Sequence, residues 1–319
     1  MDTFLSGTFL HQPTFRLILY SLAIAGLTLV IIKSQLRVLV ATRKKLREKE
    51  QALELMESKS AELEFKNKRI TDSLVYAKRI QEALLPSEVY LKKWFPESFI
   101  FYKPKDIVSG DFYWIGRQGG KYFMVAADCT GHGVPGALMS MIGHDLLEKI
   151  VIGEGVSQPA DILGRINKSL EETFTREKNV GTIMRDGMDM GICSIDLKAK
   201  KIEYSGSFFP LYLIRDDHLM EFKGDKSTLG MAGPDFSYTN NEIELQKNDT
   251  IYMFSDGYAD QFGGEENKKF MYRRFRYLLV NIHKFPMADQ KSILEENINT
   301  WMGNTSQIDD ILVMGIRPL

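Results

Sequence analysis

Cysteine is almost absent. Cys129 and Cys193 are the only two in 319 residues, too few for a disulfide framework, and a thiol in a reducing compartment usually serves as a small buried hydrophobe. Net charge is nearly absent too: 41 basic against 42 acidic residues leave −1, which removes any electrostatic case for a nucleic-acid partner. There is no internal repeat and no phosphate-cradling Gly-x-x-x-x-Gly-Lys. Glycine is missing from residues 39–84 and proline does not return until Pro86, so nothing in that stretch breaks a helix. The same stretch holds no histidine, and no ATP-binding glycine box follows it, which excludes a membrane sensor histidine kinase.

Charge is also missing from residues 17–32. With Phe15 and the snorkelling ends of Arg16 and Lys33, this run approaches the roughly 17–25 residues that a spanning helix needs. A cleavable signal peptide is the rival reading. It would need a basic region at the extreme N-terminus and a small-residue cleavage site after the apolar run, and neither is present. The expectation is a short N-terminal segment at 1–14 and a retained transmembrane helix at 15–33. Lys33, Arg37, Arg43, Lys44, Lys45 and Arg47 flank it on one side against Arg16 on the other, so the positive-inside rule makes this a single-pass protein of the cytoplasmic (inner) membrane, with everything after residue 33 in the cytoplasm.

What fills the glycine-free stretch is a seven-residue period. Leu39, Leu46, Leu53, Ser60, Asn67, Leu74 and Gln81 form one series, and Met56, Leu63, Ile70, Ala77 and Leu84 form its companion three residues later. This is the a/d seam of a coiled coil, expected over 34–86 and suited to a parallel homodimer. Thr42 and Lys49 weaken its start, and Asn67 is the kind of polar a-position residue that fixes register at some cost in stability. The alternative is a single long amphipathic helix packed on its own catalytic domain.

Beyond Pro86 the 44% hydrophobic content suffices for a sizeable core, and no second boundary appears before residue 319. Strands are expected at 98–102, 112–115, 121–127, 190–195, 201–205, 211–214, 242–245, 250–254 and 311–316. Helices are expected at 136–152, 158–174, 267–281 and 287–302. Meandering strands with helices grouped in two places fit an α+β fold better than alternating βαβ units.

Carboxylates return repeatedly to the ends of these strands. Asp111 lies in Ser109-Gly-Asp-Phe-Tyr, Asp128 closes the strand at 121–127, Asp256 follows the strand at 250–254, and Asp309 precedes the last strand. An oxygen-only donor set without companion His and Cys residues favours a hard cation, Mg²⁺ or Mn²⁺, over zinc. Two such ions sharing one carboxylate would stand roughly 3.5–4 Å apart, activating a water while neutralising a phosphoryl oxygen. That chemistry is phosphoester hydrolysis without a protein nucleophile.

Ser-Gly-Asp-Phe-Tyr, Asp-Cys-Thr-Gly-His-Gly-Val-Pro-Gly-Ala, Ser-Asp-Gly and Asp-Asp-Ile, in that order, resemble the four motifs of the bacterial SpoIIE/RsbU-like branch of the PPM (2C-type) metal-dependent protein serine/threonine phosphatases. The resemblance covers roughly residues 70–319. It implies an α-β-β-α sandwich at 87–319, two Mn²⁺ or Mg²⁺ ions bridged by Asp128, the backbone carbonyl of Cys129 as a further ligand, and Asp111, Asp256 and Asp309 completing the site. Asp310 is implied to support the ligands from behind. The family's substrates are phosphorylated regulatory proteins, often small anti-sigma-factor antagonists. Eukaryotic relatives read Asp-Gly-His-Gly, whereas here two residues separate Asp128 from Gly131-His132-Gly133, so His132 is read first as a turn histidine bonded locally and only second as a proton donor. Lys103 and Lys105 are read as solvated lysines before phosphate receivers, and Asp186-Gly-Met-Asp189 as an Asx-type turn before a rim of the cleft. The rival function is a catalytically silent phosphatase-like scaffold. It has no need for so many carboxylates at one point, where like charges repel in the absence of metal.

Overall fold

The computed structural model describes residues 13–175, 186–233 and 235–319, so most of the expected N-terminal segment lies outside the described residues. The described chain forms two compact units, residues up to Thr71 and Asp72–Leu319.

In the first unit every described residue belongs to one helix, α1, which runs Pro13–Leu84 and so continues into the second unit. No residue of the apolar stretch near its start is buried, and the stretch is long and apolar enough to cross a membrane. Of the apolar residues in the heptad series, Leu39, Leu46, Leu53, Met56, Leu63 and Ile70 are exposed, whereas Leu74, Ala77 and Leu84 are half-buried. The last turns of α1, which the sequence assigns to coil and linker, belong to the second unit, and they carry the helix's single buried residue, Gln81.

The second unit continues through a short helix α2 (Glu88–Trp94) and strands β1 (Ser98–Lys103), β2 (Phe112–Gln118) and β3 (Lys121–Cys129). Helix α3 (Val134–Leu147) passes into one π-helical turn, Glu148–Gly153, and α4 spans Pro159–Thr175. Then come β4 (Met188–Asp196), β5 (Lys201–Ser207), β6 (Leu211–Arg215), β7 (His218–Phe222), β8 (Asn241–Glu244) and β9 (Thr250–Phe254). The chain ends with α5 (Gly257–Asp260), a small hairpin β10–β11 (Phe262–Gly263 and Lys268–Lys269), α6 (Tyr272–Ile282), α7 (Met287–Met302) and β12 (Ile311–Ile316).

Two five-stranded antiparallel sheets result, ordered β1-β12-β9-β6-β7 and β2-β3-β4-β5-β8. Strand parity sorts their side chains into three cores. Met124 and Ala126 of β3, Cys193 and Ile195 of β4, Ile251 and Met253 of β9, and Leu312 and Met314 of β12 meet between the sheets. Their neighbours face outward: Phe123 and Val125, with Met190 and Ile192, pack under α3 and α4. Tyr252, Phe254, Ile311 and Val313 pack under α6 and α7. This is the α-β-β-α sandwich that the sequence resemblance implies. Because both faces of each sheet are covered, the central strands read as continuous apolar runs in the sequence.

One expected helix is corrected. Residues 267–281 do not all form α6, because Lys268 and Lys269 pair with Phe262 and Gly263, and Met271 has φ +73°, a turn that no helix continues through. α6 therefore begins at Tyr272.

Candidate active site

Parity also places the carboxylates. Ala127 and Cys129 point into the core beneath α3 and α4, so Asp128 between them points to the other face, toward the space between the sheets, at the end of β3. Across that space the second sheet delivers Asp256, just after β9, and Asp309 with Asp310, just before β12. The open end of the inter-sheet core is thus ringed by acid. A cavity of about 250 Å³ lies there, walled by Asp128, Cys129, Thr130, Gly131, His132, Asp189, Thr228, Asp309 and Asp310.

Asp111, just before β2, does not line this cavity; it is 2% exposed, with Oδ2 lacking any hydrogen-bond partner. Its loop is held by the Asp310 carboxylate, which accepts from the backbone N–H of Lys105 at 2.7 Å and of Gly110 at 2.8 Å. Both oxygens of the Asp310 carboxylate are thus engaged in holding that loop. From the other side Gln81 takes the same loop: its Nε2 donates to the carbonyl of Ser109 at 2.6 Å and to Ser140 Oγ at 2.9 Å, while its Oε1 accepts from the Ser109 N–H at 3.1 Å. At Gly110, Gly136 and Gly257 of the motifs, backbones touch. A Cβ on Gly136 would lie 2.2 Å from the carbonyl oxygen of Gly131 and 2.8 Å from Cα of Gly110, and one on Gly257 would lie 1.9 Å from the carbonyl oxygen of Asp310.

Crowded and shielded from water, these acids hold protons tightly. Burial, then the charge of Asp128, pushes the Asp111 carboxyl well above the usual carboxylate range. Burial, then the charges of Asp256, Asp309 and Asp189, raises Asp128 to about 8. Asp256 rises to about 6 through burial and then Asp309, and burial is again the first cause of the upward shifts at Asp309 and Asp189. Raised values in the fold mean that any stabilisation from these protons is present below about pH 4 and is lost as pH climbs through 6 to 8. A cation would replace the protons. Among the described residues no three His, Cys, Asp or Glu side chains converge into a ready-made coordination sphere. A hard ion that keeps several waters takes one or two carboxylates and a carbonyl, and the unpartnered Asp111 Oδ2 fits such a group.

The remaining residues singled out in the sequence fall as follows. Cys129 is buried with its thiol in the core under α3, so its backbone is what meets the cavity. His132 lines the cavity, and its Nδ1 lies 2.7 Å from Oδ2 of Asp106, 26 residues earlier in the chain rather than within its own turn. Lys103 donates to Asn299 Oδ1 at 2.7 Å, and the charge of Lys105 acts on Asp309. Thr228 and Asp106 carried no signal in the sequence, and Gln81 only that of a heptad position, because each gains its place at the site from a contact far along the chain.

A sandwich of two antiparallel sheets between helix layers, with carboxylates at one open end of the sheets, defines a PP2C-type phosphatase fold. The PP2C domain of SiaA from Pseudomonas aeruginosa matches it with a TM-score of 0.72 and 32% identity, over 79% of this chain and 98% of that one. The PP2C domain of SpoIIE from Bacillus subtilis, solved with a fragment of its regulatory domain, shares the fold at a TM-score of 0.56 and 19% identity, over 69% of this chain and 62% of that one. Residues 118–318 match the family model described as Stage II sporulation protein E (SpoIIE), and the chain belongs to that family, in the RsbU-like branch of the PPM phosphatases. The curated relative phosphoserine phosphatase RsbP of Bacillus subtilis (strain 168) is 24% identical over 165 residues, which are 50% of this chain but only 39% of RsbP.

Proposed function

We propose that the protein is a membrane-anchored, cation-dependent phosphatase that removes phosphate from phosphoserine or phosphothreonine on a cytoplasmic regulatory protein, of which an anti-sigma-factor antagonist is one candidate. The observation that carries this reading is the ring of raised-pKa carboxylates at the open end of the inter-sheet core, with Asp111 Oδ2 buried and unpartnered. Asp128, Asp111, Asp256, Asp309 and the carbonyl of Cys129 would hold two Mg²⁺ or Mn²⁺ ions. When bound, those ions supply the acidity that makes water a nucleophile near neutral pH and the positive charge that offsets the phosphoryl oxygens. The chain's own part is to fix the geometry. Asp310 and Gln81 hold the Asp111 loop from two sides, and Gly110 and Gly136 let that loop lie directly on the start of α3. The apolar stretch of α1 would anchor the protein at the inner membrane, and the exposed heptad series would pair two copies in parallel.

Asp128→Ala should abolish Mn²⁺ binding and lower turnover of a phosphoserine peptide by at least roughly a hundredfold, whereas His132→Ala should keep part of the rate. Because protons compete for the same oxygens, Mn²⁺ affinity should rise between pH 6 and 8 in calorimetric titrations. Unchanged turnover in Asp128→Ala defeats the mechanism.

A further inference from the structure

Asp189 and Thr228 line the same cavity, yet neither belongs to the four motifs. Met188 and Met190 on either side of Asp189 are buried under α3 and α4, so Asp189 points from the opposite face of its sheet, the face Asp128 uses. The two are register partners across β3 and β4. Directly opposed side chains in an antiparallel pair have Cβ atoms roughly 4.5–5.5 Å apart, and like charges in that position destabilise the sheet. Nothing on the strands separates them.

The pair is nonetheless built to stay. Thr228 Oγ1 donates to Asp189 Oδ1 at 2.8 Å. The residue after Thr228 is clamped to β4, with Met188 N–H on the Leu229 carbonyl at 3.2 Å and the reverse bond at 3.0 Å. On the other side Thr130 donates its N–H to the Gly187 carbonyl at 2.9 Å and accepts the Gly187 N–H on its hydroxyl at 3.2 Å, which ties the turn before Asp189 to the turn after Asp128. Asp189 Oδ1 is thereby oriented, and among the described residues no hydrogen bond is made to its Oδ2. A second observation points to what the free oxygen serves: Asp111 lies against Asp128, and its own Oδ2, fully enclosed, has no partner either.

We propose that Asp189 is a further carboxylate of the cation site, oriented by Thr228, which faces the ion across from Asp128 and sets how tightly it is held. This rests on the cation-dependent reading above. A mere structural role for Asp189 predicts that its loss destabilises the protein with and without metal. A cation-facing role predicts that its loss spares the metal-free protein and costs only the stabilisation that Mn²⁺ adds.

The test is Mn²⁺ titration by calorimetry, with thermal unfolding, on the full-length chain in detergent. Asp189→Asn should weaken Mn²⁺ binding by about ten- to a hundredfold. Its metal-free Tm should hold or rise while the rise in Tm on adding Mn²⁺ shrinks. Thr228→Val, which keeps the carboxylate and removes only its donor, should weaken binding by a smaller factor in the same direction, and it stands in if Asp189→Asn does not fold. Wild-type affinity in both variants, or an equal fall in Tm with and without Mn²⁺, overturns the role of Asp189 and leaves the phosphatase reading intact. Failure of the wild type itself to bind Mn²⁺ overturns both.

Discussion

Residues 13–71 and residues 72–319 treat their apolar side chains in opposite ways. In the second unit strand parity deals Met124, Val125, Ile251 and Tyr252 alternately into one of three cores, and each of these side chains is at most 1% exposed. In the first, Leu27, Leu29, Leu53 and Leu63 lie on a single helix and are each about 60% exposed or more. For such a stripe the proposed occupants are lipid where charge is absent and a second copy where the period is seven. The second unit packs its apolar side chains within itself, and its crowded acids are what the proposed cations would neutralise.

Removing the apolar stretch should therefore give the largest effect of one kind and almost none of the other. Full-length protein should sediment with membranes, and a chain beginning at Ser34 should be found in the soluble fraction with its turnover retained, which centrifugation and a phosphopeptide assay would measure. A full-length protein found only in the soluble fraction would break the comparison at its first term.

The second test works where α1 enters the second unit. Gln81 occupies an a position in the heptad series, and the sequence reads it as one more polar residue loosening the coil. The structure uses it otherwise, burying it against Ser109 and Ser140. Gln81→Leu keeps the heptad and strengthens its apolar seam, but it strands the N–H and carbonyl of Ser109 in a buried setting, at roughly 1–3 kcal/mol for each group left unsatisfied. Turnover should fall by about tenfold, with weaker Mn²⁺ binding, because the loop carrying Asp111 loses one of its two holds. An unchanged rate would mean that Asp310 alone fixes that loop.

Gln81 also shows where the sequence stops being readable. The apolar runs of β3, β9 and β12 and the acids at their ends were legible because burial on both faces and a change of residue type at a strand end are local signals. β7 was missed because His218-Leu-Met-Glu-Phe lies at a sheet edge, half-exposed and without clear alternation. Asp189 read as part of a turn because its meaning comes from standing opposite Asp128, and strand register is not written in either segment alone. The four motif acids were named from order and resemblance. The residues that hold Asp111 and Asp189 in place, Gln81, Asp310 and Thr228, act through contacts between 28 and 205 positions apart.

The smallest expected effect lies farthest from the site. Asn67 and Ser60 both fall at a positions of the heptad series, where a polar residue fixes register while lowering the stability of a parallel dimer. Asn67→Leu should tighten self-association of the full-length chain, by roughly 1–2 kcal/mol if one buried amide is replaced by a packed Leu. If the coil merely tethers, sedimentation equilibrium in detergent will show the tighter dimer while turnover and Mn²⁺ dependence stay at wild-type values. If a stiffer coil changes how α1 presents Gln81 to the Ser109 loop, turnover will shift by a few fold in the same variant. Combining Asn67→Leu with Gln81→Leu separates these cases, since a signal that travels through Gln81 disappears when Gln81 is gone, whereas the tighter dimer remains. Equal association in Asn67→Leu and wild type would remove the parallel dimer itself and leave the exposed heptad stripe facing a different partner.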